Sequence, residues 1–274
     1  MCGITACVSI GLGAASAGDD SHGNTLSNGY AGLASKAEAS APAIHGRSKQ
    51  LLVEQLQASI DAINHRGPDE TGVWISDDAS VALGHCRLSI NDLTPSGRQP
   101  LTSDDGNIHA VVNGEIYDQD RLRQLCAEKH GYKFSSESDS ELVLALYKIF
   151  GAPGFFKHLR GEFAFVLYDD RPGKRRVIAA RDRFGIKPMV WTTVGDKILM
   201  ASEAKAFLPL GWKAEWDVKS IATSGWQLDD RTLFKGVRKL LPGHWVEITN
   251  GGLKTYRYWD AEYEDKVVLL YTNT

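Results

Sequence analysis

The sequence predicts an α+β fold. Short strand-like runs recur through most of its length, and two amphipathic helical patterns interrupt them near the middle. The pattern lacks the regular strand–helix alternation of a parallel nucleotide-binding sheet. It also contains no Walker loop, no G-x-G-x-x-G after a strand and no internal repeat. The 274 residues suffice for one large domain or two small ones.

Residues 2–10 read as a short strand with β-branched positions. Residues 11–50 differ in kind, since 22 of the 40 are Gly, Ala or Ser and Tyr30 is the one aromatic. Such a segment buries too little apolar surface to offset its ordering entropy, so a flexible surface insertion is expected, with a short helix around Leu33–Ala41 conceivable but not required. Leu52, Leu56, Ile60 and Ile63 then recur at three- or four-residue spacing, predicting a helix over Leu51–Ile63 that enters the turn His65-Arg66-Gly67-Pro68-Asp69. Strands are expected at Gly72–Ile75, Val81–Ile90 and Ile108–Asn113. Helices follow at Asp118–His130 and Asp139–Phe150, the second capped by Ser138 or Asp139. Further strands are expected at Glu162–Tyr168, Val177–Arg181, Met189–Thr193, Ile198–Ser202, His244–Ile248 and Thr255–Trp259.

Composition narrows the function classes. Lys and Arg number 31 against 34 Asp and Glu, a net charge of −3, which argues against a nucleic-acid or anionic-membrane partner. No 18-residue apolar run suggests a membrane span. Ala15-Ser16-Ala17 mimics a signal-peptidase site, but no Lys or Arg precedes it, so secretion is not expected. Cysteines 2, 7, 86 and 126 are scattered without a C-x-x-C pair. No metal site or disulfide framework is expected, and a reducing, cytoplasmic location fits. Cys7, Cys86 and Cys126 read as small buried hydrophobes.

The start Met1-Cys2-Gly3-Ile4 places a cysteine one aminopeptidase cut from the N-terminus. A free N-terminal cysteine carries a thiolate nucleophile together with an α-amine of reference pKa about 7.7–8.0 that can act as its base. A buried first-strand cysteine is the plain alternative. Attack on a carboxamide also needs oxyanion donors and groups that hold the substrate's charged ends. Asn113 offers an amide, and Gly114 permits close backbone approach. The competing reading, an Asn-Gly hairpin turn, fits poorly because helix follows instead of a returning strand. Arg87 shares one strand face with Leu83, His85 and Ser89. It is either an anion-binding guanidinium or a strand-edge Arg pointing to water. His85 lacks a visible orienting partner and is left out of the chemistry. Ser138-Asp139 either offers a carboxylate to a ligand ammonium or caps its own helix.

Together the segments resemble class II glutamine amidotransferase domains. The ordered matches are Met1-Cys2-Gly3-Ile4, His65–Asp69, Arg87-Leu88-Ser89-Ile90, Asn113-Gly114-Glu115-Ile116-Tyr117, Ser138-Asp139-Ser140-Glu141 and Arg181–Pro188, extended by Ala201–Phe207 and Leu241-Pro242-Gly243-His244. The version is similar to the glutaminase half of glutamine-hydrolysing asparagine synthetases. The resemblance covers the chain to about Trp259, apart from the insertion.

This resemblance implies an N-terminal nucleophile (Ntn) hydrolase sandwich, α/β/β/α with two antiparallel sheets. It implies one domain over residues 1–260 and a tail at 261–274. Glutamine would be hydrolysed to glutamate and ammonia once Met1 is removed, with no cofactor for that reaction. The implied roles are Cys2 as nucleophile, Asn113 and Gly114 as oxyanion hole, Arg87 on the substrate carboxylate, and Asp139 and Glu115 on its ammonium. The His65–Asp69 turn and the Arg181–Pro188 segment are assigned to loop positioning.

In the synthetases a pyrophosphate-binding S-G-G-x-D-S loop should follow the Tyr258-Trp259-Asp260 region. None follows here, so this chain alone is not expected to make asparagine; the open readings are a truncated gene product, an isolated domain, or a subunit that delivers ammonia to a separate synthetase partner. Two other readings are a non-catalytic glutamine- or protein-binding module, and a stand-alone amidase for another γ-glutamyl amide.

Overall fold

Period-two alternation along the strands builds two antiparallel sheets. The computed structural model describes residues 2–10, 42–90 and 92–262. The first sheet contains β1 (Gly3–Ser9), β2 (Glu70–Ile75) and β3 (Val81–Arg87). The second contains β4 (Leu101–Thr102), β5 (Ile108–Ile116), β6 (Gly161–Asp169) and β7 (Arg176–Arg181). Next come β8 (Val190–Val194), β9 (Lys197–Ala201) and β10 (Arg238–Lys239), which complete the first sheet in the order β10-β8-β9-β1-β3-β2. Finally β11 (His244–Thr249) and β12 (Gly252–Arg257) complete the second, in the order β12-β11-β7-β6-β5-β4.

Each sheet buries both faces, and three apolar clusters define the layers. Ile4, Ala6, Val8 and Leu83 of the first sheet pack against Val111, Val166 and Ala179 of the second. Cys7, Ala82 and Cys86 face outward, onto helix α1 (Pro42–Asp61) through Leu56 and Ile60 and onto the 3-10 turn Ala204–Leu210 through Phe207. Ile108, Ala110, Val112 and Phe165 face outward on the second sheet. Helix α2 (Gln119–Gln124), which continues as a π-turn through Lys129, and helix α3 (Glu141–Phe150) cover them. The result is the α/β/β/α order implied by the resemblance. A one-residue slip of β1 would exchange Ile4, Ala6 and Val8 for Thr5 and Cys7. Each large side chain so displaced forfeits about 1.5–3 kcal/mol of burial, so the pattern holds the register.

Several boundaries depart from expectation. Helix α1 starts at Pro42, nine residues before Leu51, so residues 42–50 are helical and not part of a flexible insertion. Proline is preorganised for a first helical turn, and the Gly, Ala and Ser bias that suggested flexibility is weak here, covering only three of these nine residues. The rest of that insertion, residues 11–41 with the conceivable helix at Leu33–Ala41, lies outside the described residues. Strand β5 runs three residues past Asn113, because β6 continues alongside it and pairs Gly114 with Phe163 and Ile116 with Gly161. Helix α3 starts at Glu141, and its N-cap Ser140 makes no side-chain cap bond. The two-residue strands β4 and β10 and the short helices α4 (Val218–Ala222) and α5 (Gly225–Leu228) lack a periodic signature.

Candidate active site

Strands β1, β3 and β5 end close together at one end of the sandwich. Gly3 pairs with Cys86, so the next step outward brings Cys2 beside Arg87. His85 ties the two sheets together there, with Nε2 3.2 Å from the Val112 carbonyl. Since that partner only accepts, Nε2 carries the proton. Burial pushes the His85 imidazole down to about 3, so it stays neutral. It is a bridge between sheets and not a partner for Cys2.

The half-buried Cys2 thiol sits 3.6 Å from the Leu88 carbonyl it donates to, and the Leu88 N–H approaches the sulfur at 3.4 Å. Burial pushes this thiol above the ordinary range. The Leu88 amide and the Arg87 charge pull the other way, while Glu115 adds to the rise. The sulfur is therefore a protonated thiol at neutral pH and needs a base before it can attack. Behind it, Arg66 Nε donates to the Cys2 carbonyl at 3.0 Å while Nη1 binds Glu203 at 2.9 Å. Burial opposes the Glu203 charge, yet Arg66, Lys205 and His65 together hold its carboxyl below the usual range.

One edge of β5 carries the backbone donors. The Val112 N–H binds Gln99 Oε1 at 2.6 Å, and Gln99 Nε2 returns a bond to the Val112 carbonyl at 3.2 Å. This side chain thus continues, toward Val112, the ladder that ends at the Leu101–Ala110 pair of β4 and β5. The Ile116 N–H on the same edge binds Asp139 Oδ2 at 2.6 Å. Strand alternation puts the Gly114 N–H between these two, where Gly114 lines a cleft. Gly114 has φ +150°, and a β-carbon there would collide with the Glu162 carbonyl, so only glycine fits.

Asn113 is fully buried, with neither Nδ2 nor Oδ1 hydrogen-bonded. Alternation directs it to the side of β5 that faces the first sheet, as with Val111. An unpaired buried carboxamide costs about 1–3 kcal/mol, and among the described residues Asn113 is the one buried side chain with two unpaired polar atoms.

The cleft is lined by Cys2, Arg87, Leu88, Gly114, Glu115 and Asp139, among others. It brings together five of the six residues singled out from sequence, and Asn113 adjoins Gly114. The two open readings resolve as follows. Arg87 is buried and does not point to water: Nη1 binds Glu70 at 3.2 Å and the Thr94 carbonyl at 3.0 Å, and Nη2 binds the Asp92 carbonyl. Those bonds engage three of its five N–H donors. Asp139 does not cap α3 but reaches Ile116. Glu141 fixes its loop through the amides of Ser135 at 2.9 Å and Ser136 at 2.8 Å, and Arg123 binds the Ser136 and Ser138 carbonyls.

Arg66, Gln99 and Asp92 were missing from the sequence-based site because the contacts that tie them to it, to Cys2, Val112 and Glu137, lie 64, 13 and 45 positions away in the chain. Cys7, Cys86 and Cys126 are buried with free thiols that burial pushes up to about 11. Among the described residues no group of three or more His, Cys, Asp or Glu could hold a metal ion, and no helix is long and apolar enough to cross a membrane.

Comparison with known proteins adds three findings. A family model described as a glutamine amidotransferase domain matches residues 41–259. The chain is 49% identical over 226 residues to amidase chry2 of Gibberella zeae, covering 82% of this chain and 33% of that protein. It is 34% identical over 225 residues to asparagine synthetase [glutamine-hydrolyzing] 3 of Bacillus subtilis, covering 79% and 36% respectively. The chain thus spans about a third of the length of these curated relatives. A solved glutamine phosphoribosylpyrophosphate amidotransferase from B. subtilis, complexed with ADP and GMP, superposes with a TM-score of 0.59 at 18% identity. That match covers 94% of this chain and 49% of the other, and it shows the fold to be the Ntn-hydrolase sandwich.

Proposed function

Since this chain belongs to the class II glutamine amidotransferase domains, related to the glutaminase domain of asparagine synthetases, we propose that it hydrolyses the side-chain amide of L-glutamine to glutamate and ammonia. The observation that carries the reading is the fully buried, unpartnered Asn113 carboxamide beside the Gly114 amide. Two donors near a thiol suit an oxyanion, and their cost to the empty protein is recovered when charge develops there.

After removal of Met1, the freed α-amine of Cys2 takes the thiol proton, directly or through a water. The sulfur then attacks the amide carbon, and Asn113 and Gly114 hold the resulting oxyanion. The amine returns the proton to the departing nitrogen, the carbon–nitrogen bond breaks, and ammonia leaves a γ-glutamyl thioester. Water attacks that thioester, the carbon–sulfur bond breaks, and glutamate leaves with the thiol restored. Arg87 still has Nε–H and one Nη2–H to offer the substrate carboxylate, a side-on fork suited to bidentate binding. Asp139 and Glu115 would balance the substrate ammonium. No step calls on a cofactor. The ammonia acceptor is a synthetase domain or partner of the kind that the greater length of the relatives leaves room for.

A glutamate-release assay with intact-mass measurement tests this reading. The species lacking Met1 should release glutamate from glutamine, and Cys2→Ala should lower turnover by about four orders of magnitude or more. Absence of glutamate release from the Met1-free species would sink it. The relative named an amidase at 49% identity favours a second reading, the same thiol chemistry on another γ-glutamyl amide. Release of glutamate and the matching amine from such amides, but no release from glutamine, would select it. Retained Met1 with no release from any amide would favour a non-catalytic binding module.

A further inference from the structure

Two loops supply the charged walls of the cleft, and one buried carboxylate joins them. Residues 92–97 wrap the Arg87 guanidinium through the carbonyls of Asp92 and Thr94. Gly97 lies so close that a β-carbon would collide with Nη2. Residues 135–140 carry Asp139. The Asp92 side chain accepts from its own loop through Oδ1, from the Thr94 amide at 2.8 Å and the Thr94 hydroxyl at 2.6 Å. Its Oδ2 accepts from the Ser96 hydroxyl at 3.2 Å and, across the cleft wall, from the Glu137 amide at 3.2 Å.

We propose that Asp92 is a positioning residue that sets the separation between the cationic clamp, Arg87, and the anionic clamp, Asp139. This rests on the reading of the cleft as a site for a zwitterionic amide. Arg87 and Asp139 belong to different layers, Arg87 at the end of β3 and Asp139 in the turn before α3. A zwitterion has its carboxylate and ammonium on one carbon, so a small error in clamp spacing loses one of the two contacts. Asp92 faces hydroxyl and amide donors within its loop and one amide from the opposite loop. With Asn at 92, an NH2 in place of either oxygen would face donors it cannot accept from.

The test uses the full chain with Asp92→Asn, and Asp105→Asn as control. Asp105 holds a comparable turn, through the Ser103 hydroxyl at 2.6 Å and the Asn107 amide at 3.3 Å, at the opposite end of β5. In Asp92→Asn, amide hydrogen exchange should quicken in 92–97 and 135–140 together, with β1 and β5 unchanged. The KM for glutamine should rise about tenfold, the scale of one charge-assisted hydrogen bond, with kcat nearly unchanged. Asp105→Asn should alter neither loop nor KM. Quickened exchange confined to 92–97, an unchanged KM, or a fall in kcat at unchanged KM would overturn the proposal. Should Asp92→Asn not fold, Thr94→Val removes the 2.6 Å hydroxyl bond to Asp92, together with the Thr94–Ser96 hydroxyl bond inside the same loop, and should give a smaller KM rise. Unchanged KM there would count equally against it. If wild type releases no glutamate from glutamine, the proposed function falls, while the exchange measurement still decides whether Asp92 couples the loops.

Discussion

The two ends of the antiparallel β5–β6 pair each bury a polar group completely and treat it in opposite ways. At one end Asp169 is enclosed by donors: the Tyr147 hydroxyl at 2.7 Å, the Arg171 amide at 3.1 Å, and Arg171 Nε and Nη2 at 2.8 and 2.7 Å. Tyr147 is itself held by Arg176 at 2.9 Å, and Arg176 by Glu247. At the other end Asn113 has no protein partner for either carboxamide atom. A closed network contributes rigidity, whereas an open one costs stability and retains the capacity to bind. On the function proposed above, the difference marks where the molecule gives up stability for chemistry.

Five measurements would sharpen or break that contrast. Asn113→Ala should lower kcat by about 10²–10³, the loss expected for an oxyanion donor, while glutamine still binds and thermal stability hardly falls. Near-wild-type kcat would mean that the open carboxamide has no such role. Asp169→Asn should instead leave kcat alone and cost about 3 kcal/mol in urea unfolding, because Arg171 is left with an uncompensated charge.

The pH dependence of Asp169 sharpens the same point. Burial raises its carboxyl pKa, but Arg171 and Tyr147 outweigh burial and hold it below the ordinary range. Its contribution is therefore complete above about pH 3.9, the unfolded value, and lost as pH falls through the lower folded value. The acid limb of the stability curve should flatten in Asp169→Asn, and an unaltered limb would refute this account. Tyr147→Phe removes a single donor from the closed network and should cost about 1 kcal/mol with unchanged turnover. Smallest in energy is the effect on Cys2. With its thiol raised by burial, iodoacetamide labelling of Cys2 should still be accelerating beyond about pH 8.5, the ordinary thiol value. A plateau below that pH would show an already ionised sulfur.

Some of the site was legible because local chemistry announces it. Cys2 next to Met1, Asn113-Gly114 before a helix and Arg87 on an otherwise apolar strand are unusual where they stand, and Cys2, Gly114 and Arg87 line one cleft. The meaning of Asp139 was not legible. An acidic residue before a helix usually caps it, and only the approach of β5 turns its carboxylate to Ile116. Gln99 carried no signal at all, since standing in for a missing strand depends on where β4 stops. Arg66 reads as part of a turn, yet its guanidinium reaches the Cys2 carbonyl across 64 positions of sequence.

By itself the sequence determined the α+β class, most strand faces, the three buried cysteines and the kinds of side chain available for chemistry. Those follow from periodicity and composition, because an apolar residue must leave water whichever neighbour it meets. Only the tertiary structure decided that Asn113 has no partner, that the Gly114 amide lies on an edge left uncovered by β4, and that Asp92 joins two loops. Hydrogen bonding depends on direction and on distances of about 3 Å, and closing the chain alone brings such distant groups within reach.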